Sequence, residues 1–153
     1  MTSFRRYAVY WAPPAGSDLA RFGAAWLGWD AEAGRTVPHP EVPGLSVAEI
    51  TAPARRYGFH ATLKAPFRLR AAGDAPALPV IARLVAGRVA PFKAPPLELA
   101  RIGRFIALVP SGECKPLNEL ADHCVADFHG VAAEPPTPEI DLLRKACVCG
   151  GTL

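Results

Sequence analysis

The sequence predicts an α+β fold in which helices flank a mixed or antiparallel sheet, within one domain covering residues 1–153. Two observations lead to this fold class. Short β-rich runs alternate with helical patterns, and two neighbouring runs have the spacing of a hairpin. Hydrophobic residues make up 50% and charged residues 20% of the chain, a composition sufficient for a buried core. Helices mixed with single strands and a hairpin are typical of layered α+β folds.

The N-terminal third predicts a strand, a helix and a connector. Residues 5–14 are rich in β-forming side chains and stop at two prolines, which cannot continue a strand ladder. Ser17 is a suitable N-cap for a helix whose apolar residues recur at helical spacing from Leu19 to Leu27. The density of proline over residues 34–54 predicts an irregular connector, with His39 exposed at its surface.

The middle of the chain predicts a second strand, a second helix and a hairpin. The strand covers residues 56–67, and the helix begins at Pro79, a residue favoured at the first helical position. Residues 97–102 and 105–109 form the two hairpin strands, with the reversal at Gly103-Arg104.

Two further helices are predicted towards the C-terminus. A helix opening at Pro116 places its apolar residues on one face, which we expect to pack against the core. That face carries Leu117, Leu120, Ala121, Cys124, Val125 and Phe128. Thr137 and the proline after it are a start signal for a fourth helix, whereas residues 146–153 show no periodicity.

The strand at 56–67 carries the most chemistry. Since side chains alternate between the two faces of a strand, His60, Thr62 and Lys64 share one face. A histidine exchanges protons near neutral pH, a threonine offers a hydroxyl, and a lysine adds positive charge, so the three suit a phosphate. The other interpretation of the same pattern is a solvent-facing strand surface.

The motif "HATL" within "RRYGFHATLKAPFRL" resembles the H-x-[ST]-hydrophobic strand of the 2H phosphoesterase superfamily. "YAVYWAPPAGSDLARFGAAWLG" upstream and "RFIALVP" downstream extend the likeness to the branch found in phosphonate-utilisation operons. The resemblance runs from about residue 4 to about residue 145.

This resemblance implies a bilobal α+β fold around a cleft, each lobe contributing one H-x-[ST] strand. It implies that His60 is a catalytic acid or base and Thr62 a phosphate ligand, acting without metal or cofactor on a small cyclic phosphodiester or a nucleotide phosphodiester. The resemblance assigns no further residues, but Tyr57, Lys64 and Arg56 are expected to help bind the substrate. Arg55 and Arg104 also flank the strands, either solvated or attracting phosphate.

The chain departs from the family in lacking a second H-x-[ST] motif. His123 lies off the apolar face of its predicted helix and His129 lies near the helix end, so we expect both to be solvated. Neither has a Ser or Thr two residues later, so neither replaces the missing motif. Residues 146–153 no longer resemble the family, and we therefore expect a truncated member without the C-terminal part of the bilobal fold. Two hypotheses follow: an active phosphodiesterase, or an inactive homologue that binds a phosphorylated ligand or a partner chain. Unpaired strand edges and exposed apolar surface predict dimerisation, strand exchange or poor solubility, and the partner chain we expect is a second copy in a homodimer.

Charge and motifs narrow the remaining classes. A formal charge of +3 is compatible with an anionic substrate but is much weaker than the dense basic patches of duplex-binding proteins, and we expect no duplex nucleic acid as a partner. The sequence has no apolar run of about 20 residues to cross a membrane. The four cysteines lack the paired spacing of zinc ligands. The chain carries no dinucleotide or triphosphate-binding loop and no secretory leader, so we expect a reduced, cytoplasmic location.

Overall fold

The computed structural model describes residues 6–103 and 105–134, and it has the predicted α+β character. Four helices and three small two-stranded sheets make up this part of the chain. In order, the elements are β1 (Tyr7–Trp11), α1 (Asp18–Leu27), β2 (Trp29–Asp30), β3 (Arg35–Thr36), α2 (Val47–Arg55), β4 (Ala61–Phe67), a 3-10 turn (Ala72–Ala77), α3 (Leu78–Arg88), β5 (Leu97–Ile102), β6 (Phe105–Pro110), α4 (Lys115–Asp127) and a second 3-10 turn (Phe128–Val131). No helix in this described part is long and apolar enough to cross a membrane.

The sheets pair local strands except in one case. β1 pairs with β4, which lies some fifty residues further along the chain. β2 and β3 form a short antiparallel ladder. β5 and β6 form the predicted hairpin, with Leu97 opposite Pro110 and Ile102 opposite Phe105. Gly103 takes a left-handed φ of 60° at the reversal, a conformation that glycine adopts without strain.

The chain divides into two compact units, and each is described by itself. The first comprises Met1–Val9 and Leu63–Leu153. Its core is formed by Val85 of α3, Cys124 of α4 and Phe128, the first residue of the second 3-10 turn. Partly buried side chains that pack against this cluster are Val9, Leu63, Phe67, Leu78, Ile81, Leu120 and Val131.

The helices predicted from Pro79 and Pro116 are both confirmed in the first unit. The apolar face of α4 is only partly buried: Cys124 is 2% exposed, whereas Val125 is 54% exposed and lies outside the core. One position around a helix turns a side chain by 100°, which is enough to move Val125 off the buried side. The predicted helix at Thr137 and the tail at 146–153 lie outside the described residues.

The second unit comprises Tyr10–Thr62. Helix α1 begins as predicted, with the Ser17 hydroxyl accepting a hydrogen bond from the Ala20 amide at 3.2 Å. Gly28 ends the helix with a left-handed φ of 68°.

The predicted irregular connector at 34–54 is wrong in its second half, where the chain forms helix α2 despite Pro53 inside it. Val47 and Thr51, one turn apart, are both buried, so packing outweighs the proline's lost hydrogen bond. His39 is also not the exposed side chain that was expected. It is half-buried, and its ring lies so close to Gly28 that any Cβ there would collide with it.

Candidate active site

The backbone leading into β4 is set by a glycine. Residues 56–60 were predicted as strand, but the strand begins only at Ala61. Gly58 takes a left-handed φ of 73° and is buried, and a Cβ on it would lie 2.5 Å from the Cβ of Ala31. A side chain is therefore excluded here by conformation and by space. The turn aims the Gly58 carbonyl at the residue two positions on.

That residue is His60, whose half-buried imidazole has its Nδ1 atom 2.9 Å from the Gly58 carbonyl oxygen. Because a carbonyl only accepts, this hydrogen bond requires the proton on Nδ1. In the neutral ring, Nε2 then holds the free lone pair, and it is the atom available to take a proton or, once charged, to give one. The histidine singled out by the sequence is thus held in one tautomer.

Tyr10 covers one face of the same imidazole. The two ring centroids are 3.8 Å apart, and the ring planes are inclined by 30°. Tyr10 is 36% exposed, so the pair lies at the surface of the second unit and not in its interior. Sequence reasoning missed Tyr10, because nothing in the β-rich run "YAVYW" distinguishes it from an ordinary strand residue.

Phe59, the residue before His60, packs against helix α1. Its ring makes an edge-on contact with Phe22 of α1, at a centroid distance of 6.4 Å. It also lies directly against Gly23, where a Cβ would overlap the Phe59 side chain. Phe59 thus packs against the helix, and the next residue, His60, is bonded to the Gly58 turn. The alternation predicted for this strand is wrong for its burial, because neighbouring residues from 61 to 66 are exposed or half-buried in pairs.

Thr62 is exposed, so its hydroxyl is accessible from solvent. Arg56 and Tyr57 are exposed as well, and they contact each other. The Arg56 guanidinium donates to the Tyr57 hydroxyl at 2.7 Å, and its central carbon lies 4.8 Å from the centre of the tyrosine ring. The structure therefore places four of the predicted site residues, His60, Thr62, Arg56 and Tyr57, within one unit.

Lys64, the fifth predicted residue, belongs to the first unit. Its ammonium donates to the Val125 carbonyl at 3.2 Å and lies 5.3 Å from the centre of the Phe67 ring. Burial lowers the pKa of Lys64 from its ordinary value, and the neighbouring Cys124 acts in the opposite direction. This ammonium already has protein partners.

A groove of about 600 Å³ lies elsewhere in the second unit, between α1 and the β2–β3 ladder. Alanines line much of it, including Ala20, Ala24 and Ala25, with Arg21 and Asp30 among the charged lining residues. None of the predicted site residues lines this groove. The predicted site residues and this groove are thus separate.

The chain is similar to one protein family and to two longer relatives. A model of a family described as "Protein of unknown function (DUF1045)" matches residues 62–147, which begin at Thr62 and include Lys64. The chain is 34% identical over 147 residues to a ribose 1,5-bisphosphate phosphokinase PhnN of Janthinobacterium sp. (strain Marseille), covering 94% of this chain and 32% of the relative. It is 38% identical over 144 residues to the protein of the same name from Laribacter hongkongensis (strain HLHK9), covering 94% and 35%. The chain thus spans about a third of the length of these relatives. No solved structure matches it.

Proposed function

The chain belongs to the DUF1045 family. We propose that it is a metal-independent phosphoesterase of the 2H type that acts in phosphonate metabolism on a small ribosyl cyclic phosphate or nucleotide phosphodiester. The observation that carries the proposal is the His60 imidazole, held by the Gly58 carbonyl in the tautomer that leaves Nε2 free. An exposed threonine hydroxyl follows two residues later.

The chemistry divides between these two side chains. A water oxygen attacks phosphorus while the bond from phosphorus to a ribose oxygen breaks, which opens the cyclic diester to a monoester. His60 exchanges one proton at Nε2, either taking it from the attacking water or giving it to the departing ribose oxygen, and solvent water exchanges the other proton. Thr62 donates its hydroxyl hydrogen to a phosphoryl oxygen, where negative charge accumulates. Arg56 and Tyr57 add a positive charge and a hydroxyl for substrate binding. Lys64 stays a prediction of the strand pattern alone.

The relatives support the substrate class. Their name states that they phosphorylate ribose 1,5-bisphosphate. Opening a cyclic phosphate on a ribose phosphate produces a ribose bisphosphate, so both chemistries handle the same kind of sugar phosphate. We do not assign the kinase activity to this chain, because its sequence contains no triphosphate-binding loop of the G-x-x-x-x-G-K-[ST] type.

The test is hydrolysis by the purified protein of 2′,3′-cyclic nucleotides, a ribosyl cyclic phosphate and 2′,5′-linked oligonucleotides, followed by phosphorus NMR. We expect the cyclic phosphate signal to be replaced by a monoester signal without added metal. His60→Ala should lower the rate by about 10² to 10⁴-fold. His129→Ala, which removes an exposed histidine of a 3-10 turn, is the matched control and should retain the wild-type rate. Equal rates for wild type and His60→Ala would refute the proposal.

One observation favours the second candidate function, binding of a partner chain. Among the described strands, β5 and β6 pair only with each other. Their register places Leu97, Leu99 and Ile106 on the same face, and these side chains are 43%, 76% and 78% exposed. A two-stranded hairpin is marginally stable by itself and gains from covering such a face.

We propose that a second copy of this chain covers the face, since a two-fold contact needs only one patch that meets itself. Light scattering of the full chain should then show a dimer, and the double variant Leu99→Lys with Ile106→Lys should be monomeric. Two lysine substitutions at exposed positions of α3, Val80→Lys with Leu84→Lys, should leave the dimer intact. A monomeric wild type at high concentration would contradict this second proposal.

A further inference from the structure

Tyr10 and Gly58 hold the His60 ring from two directions. The Gly58 carbonyl lies in line with the ring edge at Nδ1, at 2.9 Å, and the Tyr10 ring lies over the ring face, at 3.8 Å between centroids. Neither contact alone fixes an imidazole. A hydrogen bond at Nδ1 permits the ring to tilt about that bond, and a stacked neighbour permits it to rotate in its own plane.

We propose that Tyr10 is a positioning residue for His60: its ring, acting with the Gly58 carbonyl, holds the imidazole so that Nε2 is the atom presented for proton transfer. This inference rests on the proposed function and extends it to a residue that contacts the histidine and not the phosphate.

The arrangement suits a ring that changes charge during turnover. The Nδ1 proton is bonded to the Gly58 carbonyl in the neutral imidazole and also in the imidazolium, so every exchange takes place at Nε2. The face of a tyrosine ring is electron-rich and therefore accommodates the imidazolium as well as the neutral ring. Tyr10 is thus compatible with both protonation states, which a cationic neighbour would not be.

The placement of the His60 ring should affect the rate of the reaction. A shift of about 1 Å in a reacting group costs about 10²-fold in rate, because proton transfer needs short and aligned donor-to-acceptor geometry. Without the Tyr10 ring, His60 keeps its hydrogen bond to Gly58 but gains freedom to tilt. The effect should therefore be on the chemical step, and substrate affinity should change little.

Two variants separate the role of the Tyr10 ring from the role of its hydroxyl. Tyr10→Ala removes the ring, and Tyr10→Phe keeps the ring but removes the hydroxyl. We expect Tyr10→Ala to lower kcat by about 10²-fold with little change in KM, and Tyr10→Phe to restore kcat towards the wild-type value. A merely structural role of Tyr10 would instead lower the amount of folded enzyme without this split between kcat and KM.

A second readout does not depend on activity. Nitrogen-15 NMR of the histidine rings identifies which nitrogen carries the proton, and the carbon-bound protons of His60 report the ring current of a stacked neighbour. We expect the Nδ1-protonated tautomer in all three proteins, and upfield His60 signals in wild type and Tyr10→Phe but not in Tyr10→Ala.

The outcomes distinguish the two proposals. If no substrate is hydrolysed but the NMR pattern is as expected, the proposed function fails while the positioning of His60 by Tyr10 stands. The positioning role is overturned, even in an active enzyme, if the neutral His60 ring of the wild type carries its proton on Nε2. It is also overturned if the His60 signals are unchanged in Tyr10→Ala. A Tyr10→Ala variant with wild-type kcat overturns it as well.

Discussion

Arg55 and His39 are joined by a 2.8 Å hydrogen bond between a guanidinium Nη2 and the imidazole Nε2. Because a guanidinium only donates, His39 accepts at Nε2 and carries its proton on Nδ1, which donates to the Trp26 carbonyl at 3.1 Å. The same guanidinium donates from Nε to the Leu27 carbonyl at 2.9 Å and from Nη2 to the Ala48 carbonyl at 3.1 Å. Arg55 thereby connects the end of α1, the connector and the start of α2.

Arg55→Lys should destabilise the protein although the charge is kept. A lysine ammonium is a single point donor and cannot reach the Leu27 carbonyl and His39 in the planar, forked geometry of the guanidinium. Lost hydrogen bonds from a charged donor to partly buried acceptors correspond to roughly 1 to 3 kcal/mol of unfolding free energy. Urea denaturation measures this difference. Arg56→Lys, at the adjacent exposed position, is the control and should stay within about 0.5 kcal/mol of wild type. Equal losses for both variants would argue against a structural role specific to Arg55.

Gly23→Ala should destabilise the second unit, against the usual preference of helices for alanine. The new Cβ would overlap the Phe59 ring, and relieving that overlap costs roughly 1 to 3 kcal/mol. Because Phe59 directly precedes His60, we also expect reduced activity in the phosphodiester assay.

Gly87→Ala is the matched control for Gly23→Ala. Gly87 lies in α3 with no atom within 4 Å of the position its Cβ would take, so the substitution should stabilise by about 0.5 to 1 kcal/mol. Thermal or urea unfolding of the two variants should therefore shift in opposite directions, and a shift in the same direction would contradict the packing of Phe59 on α1.

Gly58→Ala tests the turn that aims its carbonyl at His60. Both Gly58 and Gly16 have a left-handed φ, of 73° and 72°, so an alanine at either site pays about 1 to 2 kcal/mol of backbone strain. Only at Gly58 does the Cβ also meet Ala31, at 2.5 Å, whereas nothing lies within 4 Å at Gly16. We expect Gly58→Ala to be the more destabilising by roughly 1 to 3 kcal/mol, and to disturb the His60 tautomer seen by nitrogen-15 NMR. Matching denaturation midpoints for the two variants would count against the close Ala31 contact.

The elements with local signals were predictable from the sequence. Ser17 caps α1 through its own hydroxyl, Gly103 supplies the left-handed reversal of the hairpin, and both depend on residues within a few positions of each other. Helix α2 was missed because its support comes from tertiary packing of Val47 and Thr51, which outweighs the local signal of Pro53. Burial of a short helix face is not visible in a segment whose composition indicates a loop.

The candidate site was likewise predictable only where its signals are local in the sequence. The histidine and the threonine were singled out from the local pattern "GFHATLK". Tyr10 and His39 were not recognised, because the stacking partner of His60 is 50 positions away and the arginine that bonds His39 is 16 positions away. Contacts of this range leave no periodic pattern in one sequence, since each partner satisfies its local strand or loop preference equally well without the other.

Cys124→Ala should destabilise the first unit by an amount that falls at alkaline pH. The thiol is 2% exposed in the core, and deleting one buried atom of about methyl size costs about 1 kcal/mol near neutral pH. Burial raises the pKa of the Cys124 thiol above its ordinary 9.0; Asp127 adds to the rise and Lys64 opposes it. The unfolded chain therefore loses this proton first as the pH increases, so the stabilising contribution of Cys124 is full below pH 9.0 and is lost as the pH passes through the folded-state pKa.

The gap in unfolding free energy between wild type and Cys124→Ala should consequently narrow as the pH rises above 9.0. Lys64 also narrows this gap. Its lowered pKa makes the folded state release its proton before the unfolded state does, so this residue makes stability rise with pH. The rise is larger in Cys124→Ala, which lacks the thiol that raises the Lys64 pKa. Urea unfolding under reducing conditions at several pH values measures the gap. Val85→Ala removes atoms from the same core cluster without a titratable group, and its cost should not follow this trend. A Cys124→Ala cost that stays constant above pH 9.0 would show that the thiol ionises alike in the folded and unfolded chains.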